Sequence, residues 1–329
     1  MNILITGGLG FIGSNLVLHV LKNYEDHNII NIDAEFVGSN HNNLSEIKTS
    51  KRYKFVKGDI NDTHTIKKLI DDSDVILNLA AESHVDRSIL NAKPFIDSNV
   101  VGVFKILEIL KTTKKKFVQI STDEVFGSLE KDSADENFRF NPSSPYSASK
   151  AAAELLINSY VKTYNVDAMI TRCTNNYGPR QFLEKLIPKA IILAAHNIKI
   201  PIYNEGKGIR DWIFVDDHCS AIMKVLFNGK SGETYNISAG NEIDVLTIVK
   251  KILSIMGKEP DSFVISEDRP GHDFRYSLNS SKIRKELGWK PKKNFEEGLK
   301  MTIDWYLKNT EWWKEITDIK KLNQIQWRS

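Results

Sequence analysis

The chain has 329 residues, 41% of them hydrophobic and 26% charged, with 18 Gly and 9 Pro; this is the make-up of a compact globular protein with room for two modest domains, and it excludes a disordered or fibrous chain. Lys and Arg number 45 against 42 Asp and Glu, a formal charge of +3, too small to argue by itself for a nucleic-acid or membrane partner. The two cysteines, Cys173 and Cys219, lie far apart without metal-ligand spacing, so neither a disulfide framework nor a metal site is expected. The start Met1-Asn2-Ile3-Leu4-Ile5-Thr6-Gly7 has no basic segment leading into a long apolar run, and no later stretch approaches a membrane span; the protein is expected to be cytoplasmic, with reduced thiols.

In chain order, short β-branched runs at 2–6, 28–33, 52–57, 74–79, 116–122 and 167–172 read as buried strands. Amphipathic helical patterns fall between them near 11–23, 62–71, 94–112 and 145–164. Strands buried on both faces and separated by helices make a parallel sheet with right-handed crossovers, a doubly wound α/β fold of Rossmann type. After Cys173 the rhythm breaks into shorter elements, with turn signals at Tyr177-Gly178-Pro179, Asn204-Glu205-Gly206 and Arg269-Pro270-Gly271. The stretch 211–227 reads as a helix and 233–238 as another strand of the main sheet. The expected organisation is a dinucleotide-binding domain over 1–173, to which 206–238 returns, an interleaved smaller cap over 174–205 and 239–318, and a loose polar tail over 319–329.

Directly after the first strand comes Gly7-Gly8-Leu9-Gly10-Phe11-Ile12-Gly13. A turn this rich in glycine lets the backbone approach a pyrophosphate, and the next helix aims its N-terminal amides and positive dipole end at the phosphates. A glycine-rich turn alone can do nothing but turn; the context that raises it is Asp33, at the end of the second strand and twenty residues past Gly13. A carboxylate there accepts hydrogen bonds from ribose hydroxyls and repels a 2′-phosphate, so the cofactor reads as NAD rather than NADP. Without the glycines Asp33 would read as a turn former. Asp59-Ile60 after the third strand flanks the adenine on one reading and caps a helix on another; the two stand equal.

Tyr146-Ser147-Ala148-Ser149-Lys150 puts a phenol and an ammonium four residues apart, on one face at the start of a helix. A free phenol has a pKa of about 10, so a tyrosine acting as a base near neutrality needs a fixed cation beside it, which Lys150 can supply. A surface pair is the usual meaning of so short a string, and position after the fifth strand of a dinucleotide fold is what favours catalysis. Ser121-Thr122-Asp123-Glu124-Val125-Phe126-Gly127 ends that strand, at the carboxyl edge where open α/β sheets bind ligands. Thr122 can bond a substrate hydroxyl, and Asp123 and Glu124 can both serve one site only if the backbone has already turned, because adjacent strand residues face opposite ways. The plainer reading is a solvated acidic turn.

These motifs, with Ala80-Ala81-Glu82-Ser83-His84-Val85-Asp86-Arg87-Ser88, Asn175-Asn176-Tyr177-Gly178-Pro179, Glu184-Lys185-Leu186-Ile187-Pro188, Arg210-Asp211-Trp212 and Asp268-Arg269-Pro270-Gly271-His272-Asp273, are similar to those of the extended short-chain dehydrogenase/reductases and resemble most closely the dTDP-glucose 4,6-dehydratase family, nearly end to end. The resemblance implies NAD-dependent removal of water from a nucleotide-diphosphate glucose to give a 4-keto-6-deoxy sugar. It implies that Tyr146, with Thr122 and Lys150, oxidises the 4-hydroxyl, that Glu124 removes the carbon-5 proton, and that protonated Asp123 gives its proton to the departing 6-hydroxyl. It assigns Gly7, Gly10, Phe11, Ile12, Gly13, Asp33, Asp59, Ile60, Leu79, Ala80, Ala81, Ser83, Asn99, Tyr146, Lys150 and Asn176 to the cofactor. The substrate would be met by Ser83, Thr122, Asn175, Lys185, Leu186, Pro201, Tyr203, Arg210, Asn241, Arg269 and His272. A homodimer is implied through the helices near 94–112 and 145–164. His84 and His218 are read as structural.

The chain departs from the family pattern at Ala34-Glu35-Phe36-Val37, where a Lys and a Thr-Tyr pair are usual, at Arg180 and Leu183, which replace an aromatic and a Pro, and at Phe274, often Arg. Alternative activities on this scaffold are a UDP-glucose dehydratase, an epimerase or a decarboxylase; Asp123-Glu124 argues against the last two, whose members generally lack that acid pair. A non-catalytic nucleotide-sugar sensor would need no acid–base set.

Overall fold

The computed structural model describes residues 1–268, 270–315 and 319–322. Among the described residues twelve strands follow in chain order: β1 (Asn2–Thr6), β2 (Asn28–Asp33), β3 (Tyr53–Lys57), β4 (Val75–Asn78), β5 (Lys116–Thr122), β6 (Ala168–Cys173), β7 (Asn175–Tyr177), β8 (Ile200–Ile202), β9 (Ile209–Phe214), β10 (Thr234–Ile237), β11 (Glu242–Asp244) and β12 (Phe263–Ile265). Seven of them form one sheet in the order β10-β6-β5-β4-β1-β2-β3, every pair parallel. The apolar runs occupy its middle: Ile3, Leu4, Ile5, Ile76, Leu77, Phe117 and Val118 are fully buried, as a parallel sheet covered on both faces requires. One face packs on the helices Phe11–Asn23, Val215–Asn228 and Ser281–Leu287, the other on Thr63–Asp71, Gly102–Thr113 and Pro145–Tyr164. The fold is thus the doubly wound α/β class expected from the sequence.

The chain lays down β1 to β3 in one direction and then returns to place β4 beside β1. This reversal opens a crevice at the carboxyl ends of β1 and β4, the usual ligand position in such sheets. Over it sits a second layer in which β9 joins β7 in parallel and β11 antiparallel, with β8 and β12 paired separately. Its core gathers Ile187, Ile191, Ile248, Ile252, Leu299, Trp312 and Trp313.

Three details differ from the expected elements. Residues 211–214 belong to β9 and the helix begins only at Val215, because Ile209–Phe214 pairs with two strands before the chain re-enters the main sheet at β10. The helix expected over 94–112 is interrupted by a π-helical turn, Asp97–Val101, between Lys93–Ile96 and Gly102–Thr113; wide turns of this kind mark functional sites, and this one turns Asn99 inward. Of the expected tail, Ile319–Leu322 is a short helix with Leu322 in the cap core, while 323–329 lies outside the described residues. Among the described residues no helix is long and apolar enough to cross a membrane.

Candidate active site

The turn after β1 cannot be built without glycine. Gly7 has φ +71° and a Cβ there would lie 2.7 Å from Ala80 N; a Cβ on Gly13 would lie 2.2 Å from Gly7 O. At Gly10 the nearest atom is Gly7 O at 3.4 Å, so that position is open on its outer side. Gly10 caps the helix Phe11–Asn23 without a side-chain acceptor, and Phe11, Ile12 and Gly13 line the cleft. The amides of the first helical turn therefore meet a concave space with no cap competing for them, a fit to a phosphate anion.

Asp33 also lines this cleft. Its Oδ2 accepts from Leu9 N (2.9 Å) and its Oδ1 from Glu35 N (2.8 Å) and Ser39 Oγ (2.7 Å). A carboxylate has about four lone-pair positions, so one remains for a hydroxyl while the others fasten the glycine turn to the 34–39 loop. Asn31 gives the turn a second anchor, accepting from Gly8 N at 3.0 Å and donating to Tyr53 Oη at 2.9 Å. The sequence reading missed Asn31, although an amide inside Ile29-Ile30-Asn31-Ile32 is an audible signal for a buried polar role. Asp59 and Ile60 line the cleft as well, and the cap of the helix Thr63–Asp71 is Asp62, which accepts from His64 N and Thr65 N.

At the other end of the cleft Thr122 is the last residue of β5, and the backbone turns at once into a single 3-10 turn, Asp123–Phe126. That turn lets both Asp123 and Glu124 reach the cleft lining together with Tyr146 and Lys150. Ser144 and Ser147 cap each other reciprocally and Pro145 opens the helix Pro145–Tyr164, which fixes where Tyr146 enters. Phe95 packs edge-on against its ring. Lys150 Nζ donates to Ile120 O at 2.6 Å, and Thr122 hydrogen-bonds both Tyr146 and Asp123, the latter through Oγ1 to Oδ1 at 3.2 Å.

Burial, and then the neighbouring Glu124, pushes the Asp123 carboxyl well above the usual range, and its Oδ2 has no hydrogen-bond partner among the described residues. An orphaned carboxyl oxygen in so dry a place is best satisfied by carrying a proton. Burial also raises the Tyr146 phenol, helped by Glu124, and lowers the Lys150 ammonium to about 8, with Glu154 holding it up against that fall. The Cys173 thiol, between them, is pushed up to about 12 by burial and stays protonated.

Leu79, Ala80, Ala81, Ser83, Asn175, Asn176 and Lys185 complete the lining from β4, β7 and the loop beyond, with Lys185 Nζ donating to Ser83 O. Ser98, Glu82, Gln181 and Phe182 line it too and were not foreseen. Several residues expected at the ligands lie outside this lining. Asn99 is buried behind the wall, clamping Glu82 N and O and Ser149 Oγ with all its amide atoms. Arg210 turns its guanidinium onto the carbonyls of Ile209, Asp273 and Phe274, over the Tyr276 ring at 4.3 Å. Leu186, Pro201, Tyr203, Asn241 and His272 are likewise outside the lining; Asn241 Nδ2 bonds Trp212 O, and His272 faces Asp268. Arg269 lies outside the described residues. His218 Nδ1 bonds Asn176 Oδ1 and is fully buried.

The departures from the family pattern have structural uses. Glu35 holds Lys57 and His41, Arg180 reaches Asn43 O and Glu46 across the cleft edge, and Leu183 is buried in the cap core. Phe274 is half exposed, and the structure gives it no contact that explains the change.

Comparison with known proteins agrees with this geometry. The family model described as GDP-mannose 4,6 dehydratase matches residues 4–302. The chain is 42% identical over 322 residues, 97% of each chain, to the dTDP-glucose 4,6-dehydratase of Mycobacterium tuberculosis. Among solved structures it resembles the dTDP-glucose 4,6-dehydratase of Bacillus anthracis in complex with NAD (TM-score 0.91, 44% identity, 96% of this chain and 100% of that one). It equally resembles that of Streptomyces venezuelae with NAD and TYD bound (TM-score 0.94, 40% identity, 96% and 100%). At such identity across almost the whole of both chains, this chain belongs to the dTDP-glucose 4,6-dehydratase family of extended short-chain dehydrogenase/reductases.

Proposed function

We propose that the chain converts dTDP-glucose to the 4-keto-6-deoxy sugar by dehydration, with NAD held along the crevice between the glycine turn and Tyr146. The observation that carries this reading is the pair Asp123-Glu124 in one cleft with Tyr146 and Lys150, Asp123 being the buried member whose proton is retained. The glycine turn and the amides of residues 11–13 would hold the pyrophosphate, Asp33 the adenosine ribose, and Lys150 the second ribose. Bound there, the cofactor would supply a reversible hydride acceptor for carbon 4 and carbon 6 of the sugar.

Tyr146 would receive the proton of the 4-hydroxyl as a phenolate, and because burial raises its phenol that role requires the positive charges of Lys150 and the bound nicotinamide beside it. The ketone so formed acidifies carbon 5, and Glu124 takes that proton while Asp123 delivers its own to the 6-hydroxyl, which leaves as water. Glu124 then returns a proton to carbon 5. Over the cycle Tyr146 gains one proton and Asp123 loses one, and Thr122, bonded to both, gives the route by which the site resets. No net oxidation results. The cap, from 174–205 and 239–318, would hold the nucleotide, with Arg269 and Lys185 as phosphate partners.

A homodimer fits the outer faces of the helices in 93–113 and 145–164, where Ile96, Phe104, Leu155 and Tyr164 are exposed. Incubation with dTDP-glucose in heavy water should give a 6-deoxy-4-keto product deuterated at carbon 5. Recovery of a galactose or pentose product would end the dehydratase reading.

A further inference from the structure

Beneath the acid pair lies an ion pair that the proposed chemistry does not use. Glu154, fully buried, sits one helical turn beyond Lys150, and Arg172, on β6, is 3% exposed. The guanidinium grips the carboxylate twice over, Nη2 to Oε2 at 2.7 Å and Nε to Oε2 at 2.9 Å, and its Nη1 donates to Glu136 O at 3.0 Å. Ser121 Oγ donates to Glu154 Oε1 at 2.5 Å. Phe126 and Phe140 flank the guanidinium at 4.8 and 5.2 Å.

These contacts form a ladder. Ile120 O is held by Lys150 and Ser121 Oγ by Glu154; the next residues are Thr122, Asp123 and Glu124. Phe126, which closes the catalytic turn, rests on Arg172. One pair thus ties the helix bearing Tyr146 and Lys150, the end of β5, and the turn bearing the two acids. A buried ion pair seldom adds net stability over apolar side chains of like size, because desolvating both charges offsets their attraction. Geometry is the better reason for its presence.

We propose that Glu154–Arg172 is a positioning pair that fixes the Asp123–Glu124 turn against the Tyr146–Lys150 helix and keeps Lys150 cationic for the oxidation step. The second half follows from placement: Glu154 stands one helical turn from Lys150 on the same helix, held by Arg172, Cys173 lies at the end of β6, and Asp123, Glu124 and Tyr146 line the cleft with Lys150; of these Glu154 most opposes the loss of the Lys150 proton. The inference rests on the reaction proposed above.

Two readouts separate its failure from failure of that reaction. In hydrogen exchange of the folded protein, which needs no turnover, Glu154→Gln should speed exchange of the amides of 121–127 by about tenfold or more while leaving β1 unchanged; equal protection in both segments overturns the positioning role. In rapid reduction of bound NAD by dTDP-glucose over a pH series, Glu154→Gln should move the alkaline limb to lower pH, whereas Arg172→Lys, which keeps the carboxylate paired and charged, should not. Limbs that move alike, or not at all, overturn the second half. Should the single variants fail to fold, the charge-free pair E154Q/R172M carries both tests, and an unmoved limb with unchanged exchange refutes the proposal. A wild-type protein whose NAD is not reduced at all would instead refute the reaction.

Discussion

Replacing Asp123 by Asn keeps the shape of the side chain and removes only its ability to give up a proton, so stability and chemistry should part company. The folded-state carboxyl is raised above its unfolded value by burial and by Glu124. Between the two values the folded chain holds a proton that the unfolded chain has released, so stability falls as pH rises through that window and stays lowered above it. Each pH unit of separation is worth about 1.4 kcal/mol. Asn carries no such penalty: D123N should match the wild type below the unfolded carboxyl range and become more stable than it toward neutrality. Catalysis should run the other way. A general acid contributes about 10²–10⁴ in rate, or roughly 2.7–5.5 kcal/mol of barrier, and that factor should vanish from elimination while reduction of bound NAD by dTDP-glucose persists, Tyr146 and Lys150 being intact. Denaturant titrations from acid to neutral pH give the first quantity, and single-turnover product formation beside the absorbance of reduced nicotinamide gives the second. A variant less stable than wild type at neutral pH, or one that eliminates water within about tenfold of the wild-type rate, would refute the assignment of Asp123 as the protonated acid.

The glycine turn separates folding from ligand binding. Gly13→Ala should cost about 1–3 kcal/mol or more of stability, since its Cβ meets backbone at 2.2 Å; Gly10→Ala, with 3.4 Å of room, should unfold like the wild type yet lose NAD affinity in calorimetry. Leu155→Glu, on a helix face where Leu155 is 58% exposed, should convert the proposed homodimer to monomer in light scattering without altering its circular dichroism.

Much of this site was legible in the sequence because its logic is local. A glycine string between strand and helix, a carboxylate at the next strand end and a Tyr–Lys pair at helical spacing each depend on neighbours a few residues away, and the structure brings them to one crevice at the β1–β4 reversal. What stayed hidden is polar and non-local. Asn99 is expected at the cofactor from its place in the family pattern, and the π turn sets its amide on Glu82 and Ser149; nothing in Asp97-Ser98-Asn99 announces an extra residue in a helical turn. The strand Ile209–Phe214 was read partly as helix because its apolar run is short, and only its pairing with two strands distant in sequence decides the matter.

The hidden contacts share one physical feature: each satisfies a buried polar group with a partner far along the chain. Glu154 and Arg172 are eighteen residues apart, and on composition alone either could stand on a solvated face, where long charged side chains usually lie. Once both are enclosed, neither can lose the other without leaving a bare charge in the core, so their pairing constrains the backbone more tightly than apolar packing, which tolerates sliding. The catalytic turn is attached at this point and not at a merely hydrophobic one, because the proposed reaction requires Asp123 and Glu124 to keep unequal protonation beside a phenol and an ammonium. That balance is electrostatic and changes steeply with distance in a dry interior. A sequence displays the four reacting groups; the rigidity that holds them apart is written in residues that never touch the sugar.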